Sequence, residues 1–284
     1  MSSAPVYTAE FVERGYNNRA AVPEHPAWLA RYATMSEAAR AALSPRQDVR
    51  YGPNPNETLD LFLPSGTPRG TFAFFHGGYW RALDKRDFSF VAPPLVAQGI
   101  AVAVVNYDLC PAVTVSAIAD ECCRAVRWLA RDGVAHGLGH GRLVAGGHSA
   151  GGHLVAMLHA TDWSAHGFAA NPLAGGVTLS GVHDLAPLVL ATMNADLGLD
   201  AAEADRMSPV HMVPTTAAPL VMAVGGDETS EFIRQTKILW DAWPGCRSPG
   251  DAGPLVIPGR HHFSVVVDHA DPRSDLTRRT LALF

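Results

Sequence analysis

A glycine–serine motif in the middle of the chain carries the strongest chemical signal. Residues 147–151 read Gly-His-Ser-Ala-Gly, and the serine hydroxyl of such a pattern can attack an acyl carbon. Residues 143–146 before it are typical of a strand, and residues 150–159 after it of a helix. A serine at this sharp junction needs small neighbours, and the helix N-terminus offers N–H groups to a developing oxyanion. The motif predicts acyl transfer with Ser149 as nucleophile; the alternative is a glycine-rich turn with an incidental serine.

A second glycine-containing motif fits the same chemistry. Residues 76–80 read His-Gly-Gly-Tyr-Trp and follow an apolar segment, 71–75, that is typical of a short strand. Two glycines let the backbone approach a substrate oxygen closely, so N–H groups of this loop are expected to form an oxyanion hole with the start of the serine helix. The predicted hole consists of Gly77, Gly78, Tyr79 and Ala150. The alternative interpretation is a β-turn with buried aromatic residues.

Four aromatic residues near these motifs are candidates for the substrate pocket. Tyr79 and Trp80 belong to the second motif, and their bulk is compatible with a small acyl group such as formyl. Tyr107 follows the β-branched run 100–106, and Trp163 follows the serine helix. For Trp163 a surface loop is the alternative.

The serine needs a general base, and in this order of elements the base comes last. The chain has 13 histidines, so position must select among them. His261 and His262 follow the last predicted strand, 255–257, and the loop after that strand can reach the serine turn. We predict His262 as the base, because it immediately precedes an apolar, helix-like run. His261 is the alternative.

The acid that orients the base is expected after the predicted strand 220–224, where Asp227 and Glu228 both stand. A spacing of three residues from the strand-ending Gly225 favours Glu228. Aspartate is the commoner residue for this role, so Asp227 remains the alternative. The acid would hold the imidazole in the correct tautomer and stabilise the imidazolium. The unused carboxylate would serve as a charge at a helix N-terminus.

The elements around these residues alternate between strand and helix. This order predicts an α/β fold, with a mostly parallel central sheet and helices on both faces. One domain is expected over residues 1–284, with residues 1–45 as an N-terminal extension. Residues 184–214 break the alternation and predict a small helical cap over the C-terminal edge of the sheet. The predicted strands are 58–63, 71–75, 100–106, 143–146, 177–180, 220–224 and 255–257. The predicted helices are 27–43, 88–98 (kinked by a proline pair), 115–131, 150–159 and 230–243.

Composition excludes several function classes. The formal net charge is −5 and no basic stripe is present, so no nucleic-acid partner is expected. No apolar run reaches the roughly 18 residues of a membrane helix, and the first residues lack a secretory pattern, so we expect a cytoplasmic protein without a membrane partner. No metal or cofactor is expected, and the sequence leaves a homodimer open. The cysteines lack disulfide or zinc spacing, which indicates buried thiols: Cys110, Cys122, Cys123 and Cys246.

The motifs together resemble the kynurenine formamidase (arylformamidase) branch of the α/β hydrolases. The resemblance implies Ser149 as nucleophile and His262 as base, and its acid spacing favours Glu228, where the family pattern has aspartate. It also implies hydrolysis of N-formyl-L-kynurenine to formate and kynurenine in tryptophan breakdown. The segments that carry it are YNNRAAVPEH (16–25), HGGYW (76–80), NYDLCP (106–111), GHSAGGHL (147–154), LSGVHDL (179–185), GGDETSEFIRQT (225–236) and HHFSVV (261–266).

Three functions follow as hypotheses. The first is a serine hydrolase that cleaves an aryl formamide through an acyl-enzyme. The second keeps this chemistry and acts on short-chain or aryl esters. The third is a non-catalytic ligand-binding protein of the same fold, in which a residue of the Ser–His–acid set would be missing; none is missing here.

Overall fold

The structure is a computed structural model that describes residues 7–284. The strands in this range are β1 (Arg46–Arg50), β2 (Thr58–Phe62), β3 (Gly70–Phe75), β4 (Ala101–Val105), β5 (Arg142–His148), β6 (Leu173–Leu179), β7 (Leu220–Gly225) and β8 (Leu255–Ile257). They form one sheet in the order β1-β2-β4-β3-β5-β6-β7-β8. β2 pairs antiparallel with β1 and with β4, and the remaining pairings are parallel.

The helices connect the strands and extend the chain at both ends. The α-helices are α1 (Ala9–Tyr16), α2 (Asn18–Ala21), α3 (His25–Leu43), α4 (Ala92–Val96), α5 (Val115–Arg131), α6 (Ala150–Ala160), α7 (Asn194–Leu197), α8 (Ala201–Arg206), α9 (Ser230–Ala242) and α10 (Asp275–Leu281). Short 3₁₀ helices cover Lys85–Val91, Gly133–His136, Trp163–His166, Ala186–Leu190, Pro209–His211, Pro244–Cys246 and Val265–Ala270.

The central strands are buried on both faces. β3 and β4 are apolar runs in which every residue is buried, as expected where helices cover both sides of a parallel sheet. One core cluster packs beneath α5 and α6, and a second one packs beneath α3, α4 and α10. The predicted α/β class, with a mostly parallel sheet and helices on both faces, is confirmed.

The strand register brings the two glycine motifs together. Phe75 at the end of β3 pairs with Gly147 in β5 and with Val105 in β4. The loop after β3 and the turn after β5 therefore leave the same edge of the sheet side by side. This juxtaposition depends on residues some 70 positions apart in the chain, and parallel pairing produces it directly.

β1 is a strand that the hydropathy pattern did not predict. Its sequence, Arg-Gln-Asp-Val-Arg, has no apolar alternation, and four of its five residues are exposed. It lies at the edge of the sheet and pairs only with β2. Backbone pairing, not side-chain burial, holds such an edge strand, so the period-two signal is absent.

The predicted helix over 88–98 is shorter and starts differently. A 3₁₀ helix, Lys85–Val91, runs directly into α4, where the proline pair occupies the first helical turn. Prolines at that position lack only an N–H that would have no partner in the helix. The pair therefore begins α4, and the predicted kink does not occur.

The first part of the extension and the segment 184–214 both fold into short helices beside the sheet edge. The extension contains α1 and α2 ahead of α3, where only a turn at 16–20 was predicted. Asn17 ends α1 and caps α2, since its side chain accepts a hydrogen bond from the N–H of Ala20. In residues 7–284, no helix is both long enough and apolar enough to cross a membrane.

Candidate functional site

Ser149 occupies a strained turn between β5 and α6. Its φ of 56° and ψ of −119° lie in a region that side chains rarely adopt. The strain is held from both sides: the N–H of Ser149 donates to the carbonyl of Leu179 at 2.8 Å, and its carbonyl accepts from the N–H of His153 at 3.1 Å. The turn presents the Ser149 side chain at the edge of the sheet.

The glycines of this turn are required by close backbone packing. A Cβ atom at Gly151 would lie 1.9 Å from the carbonyl oxygen of Phe75. A Cβ atom at Gly147 would lie 2.3 Å from the carbonyl carbon of Gly151. These are far shorter than van der Waals contacts, so α6 can approach β3 only where both side chains are absent. The pattern at 147–151 is therefore a steric requirement of the turn.

The structure brings Ser149, His262 and Glu228 into one hydrogen-bonded line. His262 Nε2 lies 3.1 Å from Ser149 Oγ, and His262 Nδ1 lies 2.7 Å from Glu228 Oε2. All three residues are buried. Because the carboxylate accepts a hydrogen bond from the N–H at Nδ1, Nε2 is left unprotonated and can take the proton of the serine hydroxyl.

Glu228, and not Asp227, is the acid beside His262. The second carboxylate oxygen of Glu228, Oε1, accepts from the N–H of Gly225 at 2.8 Å and from the hydroxyl of Ser180. Both oxygens are thus oriented. Asp227 is exposed, and its N–H donates to the carbonyl of Arg260. Ser180 follows β6 in the segment LSGVHDL, and no local sequence pattern assigns it a role.

His148 and Phe232 enclose the imidazole of His262. Their rings lie 4.7 Å and 4.4 Å from it, centroid to centroid. His148 Nε2 is 3.0 Å from the carbonyl oxygen of His262, and since a carbonyl only accepts, Nε2 carries the proton. Burial lowers the pKa of His148 well below its ordinary value, and neighbouring His262 lowers it further. His148 is therefore a neutral donor that holds the backbone of His262.

The alternative base, His261, points away from Ser149. Its Nδ1 accepts from the N–H groups of Phe263 and Ser264 at 3.3 Å each. Its ring packs edge-on against Trp28, with 5.1 Å between ring centroids. His261 thus shapes the loop that carries His262.

The oxyanion loop borders the serine turn as predicted from strand order. A Cβ atom at Gly77 would lie 3.2 Å from Ser149 Cβ, which shows how closely the two backbones approach. The N–H groups of the four predicted donors donate no hydrogen bond to any described residue: Gly77, Gly78, Tyr79 and Ala150. Donors without partners beside the serine suit the binding of a substrate oxygen.

Tyr79 is held by the N-terminal extension. Its φ is 50°, and its hydroxyl donates to the carbonyl of Tyr16 at 2.7 Å. Burial raises the pKa of the Tyr79 hydroxyl well above its ordinary value, so the group stays protonated and keeps this bond. Tyr79 lines the cavity above Ser149.

Three of the four predicted pocket residues lie away from the cavity. Trp80 has a φ of 55°, which turns its fully buried ring toward α6, where it packs edge-on against His153 at 4.9 Å. The ring of Tyr107 stacks on His76 at 4.2 Å and supports the oxyanion loop from behind. Trp163 follows the C-terminus of α6, about 16 Å of helix from Ser149, and its indole N–H donates to Leu158.

A cavity of about 640 Å³ opens above Ser149. Its walls come from four parts of the chain: the extension, the oxyanion loop with residues 81–88, the segment 184–214 and the histidine loop. The contribution of the extension to the cavity wall was not predicted, because no sequence pattern within residues 13–32 marks them as pocket residues. The main lining residues are Glu13, Tyr16, Asn18, Arg19, Tyr32, Tyr79, Arg81, His148, Ser149, Met193, Asp196, His262 and Phe263.

The extension also ties the site's three loops together. Besides the bond from Tyr79 to Tyr16, the hydroxyl of Thr229 donates to the carbonyl of Gly15 at 2.6 Å. The hydroxyl of Tyr32 donates to the carbonyl of Phe263. The oxyanion loop, the acid loop and the histidine loop are thus each bonded to residues 15–32. Among residues 7–284, no cluster of three His, Cys, Asp or Glu side chains is arranged to hold a metal ion.

Known proteins share both sequence and architecture with this chain. The BD-FAE family model matches residues 59–175. Kynurenine formamidase from Salmo salar is 30% identical over 257 residues, covering 88% of this chain and 85% of that protein. The enzyme of the same name from Danio rerio is 30% identical with the same coverage.

Solved structures extend the comparison. A protein from Silicibacter sp. TM1040, provisionally assigned as a thioesterase, is 36% identical, with a TM-score of 0.81 over 93% of this chain and 96% of that one. Esterase B from Lactobacillus rhamnosis shares the fold, with 21% identity and a TM-score of 0.67 over 93% of this chain and 94% of that one.

Proposed function

Because this chain belongs to the kynurenine formamidase family of α/β hydrolases, we propose that it hydrolyses N-formyl-L-kynurenine, or a closely similar aryl formamide, to formate and the free arylamine. Family membership makes the chain a hydrolase of formamide or ester substrates. It excludes the hypothesis of a non-catalytic ligand-binding protein. The observation that carries the proposal is the line of hydrogen bonds from Ser149 through His262 to Glu228 at the floor of the cavity.

The proposed reaction proceeds through a formyl-enzyme. Ser149 Oγ attacks the formyl carbon while His262 Nε2 takes the serine proton. The N–H groups of Gly78, Tyr79 and Ala150 stabilise the oxyanion. His262 then gives its proton to the leaving nitrogen, and the C–N bond breaks to release the arylamine. His262 next takes a proton from water, the hydroxide attacks the formyl ester, and the proton returns to Ser149 Oγ as formate leaves.

Thioesters and short-chain esters are second candidate substrates, on separate grounds. The likeness to a provisional thioesterase at 36% identity and the short-chain esterase hypothesis both keep the same catalytic residues. An amide nitrogen leaves only when protonated, whereas an alkoxide or thiolate leaves far more readily. Hydrolysis of a formamide therefore demands more from the histidine than hydrolysis of an ester does.

A direct comparison of substrates tests the proposal. We expect kcat/KM for N-formyl-L-kynurenine to exceed that for p-nitrophenyl acetate and for an acetyl thioester by at least tenfold. Release of the arylamine, nitrophenol or thiol is followed by absorbance on one enzyme preparation. A hundredfold preference for either activated ester, with no measurable formamide hydrolysis, would overturn the formamidase assignment and leave a hydrolase of esters.

The bond between Tyr79 and Tyr16 predicts a smaller effect on the same reaction. Tyr79→Phe removes one buried hydroxyl-to-carbonyl hydrogen bond, worth about 1 kcal/mol, and loosens the loop that carries the oxyanion donors. We expect kcat on the formamide to fall about three- to tenfold with KM little changed. Tyr51→Phe is the matched control, because Tyr51 makes an equivalent bond to the Asn106 carbonyl at 2.6 Å outside the cavity. Equal losses of kcat in both variants would refute a specific role for Tyr79.

A further inference from the structure

Asn18 places an unpartnered amide in the wall of the cavity. It begins α2, is only 4% exposed and lines the same space as Ser149. Its Nδ2 is buried and has no hydrogen-bond partner among the described residues. An unsatisfied buried amide lowers stability, so a side chain in this position requires another explanation. A ligand that fills the cavity and accepts the hydrogen bond provides one.

Two charged side chains also stand at this wall. Arg19, the next residue, lines the cavity and forms no ion pair within residues 7–284. Glu13 accepts from Asn17 Nδ2 at 2.6 Å, and this bond, with a smaller contribution from Thr192, lowers the pKa of Glu13 below its ordinary value, so that its carboxylate is ionised.

The other charged pair in the wall is already neutralised. Arg81 forms an ion pair with Asp196 across the cavity rim. The extension therefore presents one unpartnered amide donor and one cation without an ion pair, beside one ionised carboxylate. A ligand that carries both a carboxylate and an ammonium group is complementary to that set.

We propose that the extension binds the α-amino-acid end of the substrate, with Asn18 Nδ2 and the Arg19 guanidinium holding its carboxylate and Glu13 its ammonium group. The inference rests on the proposed function and names specificity residues for it. The formamide lies at Ser149 and the zwitterionic group at α1 and α2, so the two ends of one substrate are held by different parts of the chain. Esters without an amino-acid group cannot bind to Asn18, Arg19 and Glu13 in this way.

Two substrates and one variant test this assignment. N-formyl-L-kynurenine carries the amino-acid group, and 2-formamidoacetophenone has the same aryl formamide and ketone without it. We expect the wild type to prefer the first by at least tenfold in kcat/KM, chiefly through KM. Asn18→Leu keeps the approximate shape and removes the donor. It is expected to raise KM for N-formyl-L-kynurenine at least tenfold and to bring kcat/KM for the two formamides to within about twofold of each other.

Activity on 2-formamidoacetophenone reports whether the Asn18→Leu variant is folded. Asn56→Leu is the matched control, because Asn56 is exposed and lies outside the cavity. This control variant should match the wild type on both substrates. Two outcomes would overturn the assignment while leaving the formamidase proposal intact: a wild type without preference between the formamides, or an Asn18→Leu variant that keeps it. A wild type that cleaves esters and neither formamide would overturn the proposed function and, with it, this assignment.

Discussion

Ser149→Ala is expected to lower kcat on an aryl formamide by about five to six orders of magnitude. The substitution removes the only oxygen that lies within hydrogen-bond distance of His262 Nε2 in the described structure. The oxyanion donors and the cavity remain, so substrate binding should persist and the loss should fall on kcat. Residual hydrolysis would come from transition-state stabilisation of an attacking water by the remaining groups.

Stability and labelling separate a chemical effect of this substitution from a structural one. Alanine also has a Cβ, so it keeps the strained backbone and loses about one hydrogen bond, worth about 1 kcal/mol. The unfolding midpoint should shift by no more than about 3 °C. A fluorophosphonate probe should add one adduct to the wild type and none to Ser149→Ala. Activity within tenfold of the wild type, or an adduct on the variant, would rule out Ser149 as the nucleophile.

Glu228→Gln is expected to lower kcat by about three to four orders of magnitude, for a reason specific to this site. Two donors bond to Oε1 of Glu228: the N–H of Gly225 and the hydroxyl of Ser180. The N–H of Gly225 cannot reverse its role, so the amide oxygen of glutamine must take that place. The amide nitrogen then faces His262 Nδ1 as a donor. The imidazole proton is driven to Nε2, where it blocks proton transfer from Ser149.

Asp227→Asn supplies the matched control for this substitution. It makes the same chemical change one residue away, at an exposed side chain, and should leave kcat within about twofold. Both variants are compared on a formamide and on p-nitrophenyl acetate. The loss in Glu228→Gln should be larger for the formamide, because its leaving nitrogen must receive a proton from His262. Equal activity of the two variants would contradict the assignment of the acid.

The parts of the site that the sequence predicts are those encoded by local geometry. The serine turn is marked by steric needs within five residues, and the glycine loop after β3 by its position behind an apolar strand. Parallel strand order then places the two loops side by side, and the spacing from Gly225 favours Glu228 while leaving Asp227 open. The predicted α/β class follows from the same alternation of strand and helix.

The pocket is less predictable because it depends on side-chain direction and on distant segments. Trp80 adjoins the oxyanion loop in sequence, yet its positive φ sends the ring into the core. Asn18 and Tyr16 lie more than 130 positions before Ser149, and no local pattern shows that α1 and α2 pack over the sheet edge. Ser180 acts through a carboxylate 48 residues away, a contact that follows only from the strand order.

The bonds between the extension and the three loops bear on how the protein is synthesised. Gly15 and Tyr32 leave the ribosome early, but their partners Thr229 and Phe263 are made 214 and 231 residues later. At ribosomal rates of 5–20 residues per second, this interval is about 10 to 45 seconds. The bond to Tyr79 can form early, but the bonds to Thr229 and Phe263 must stay unmade during that time. Hydrolytic activity should therefore arise only after the histidine loop has been made and the early extension has bonded to it.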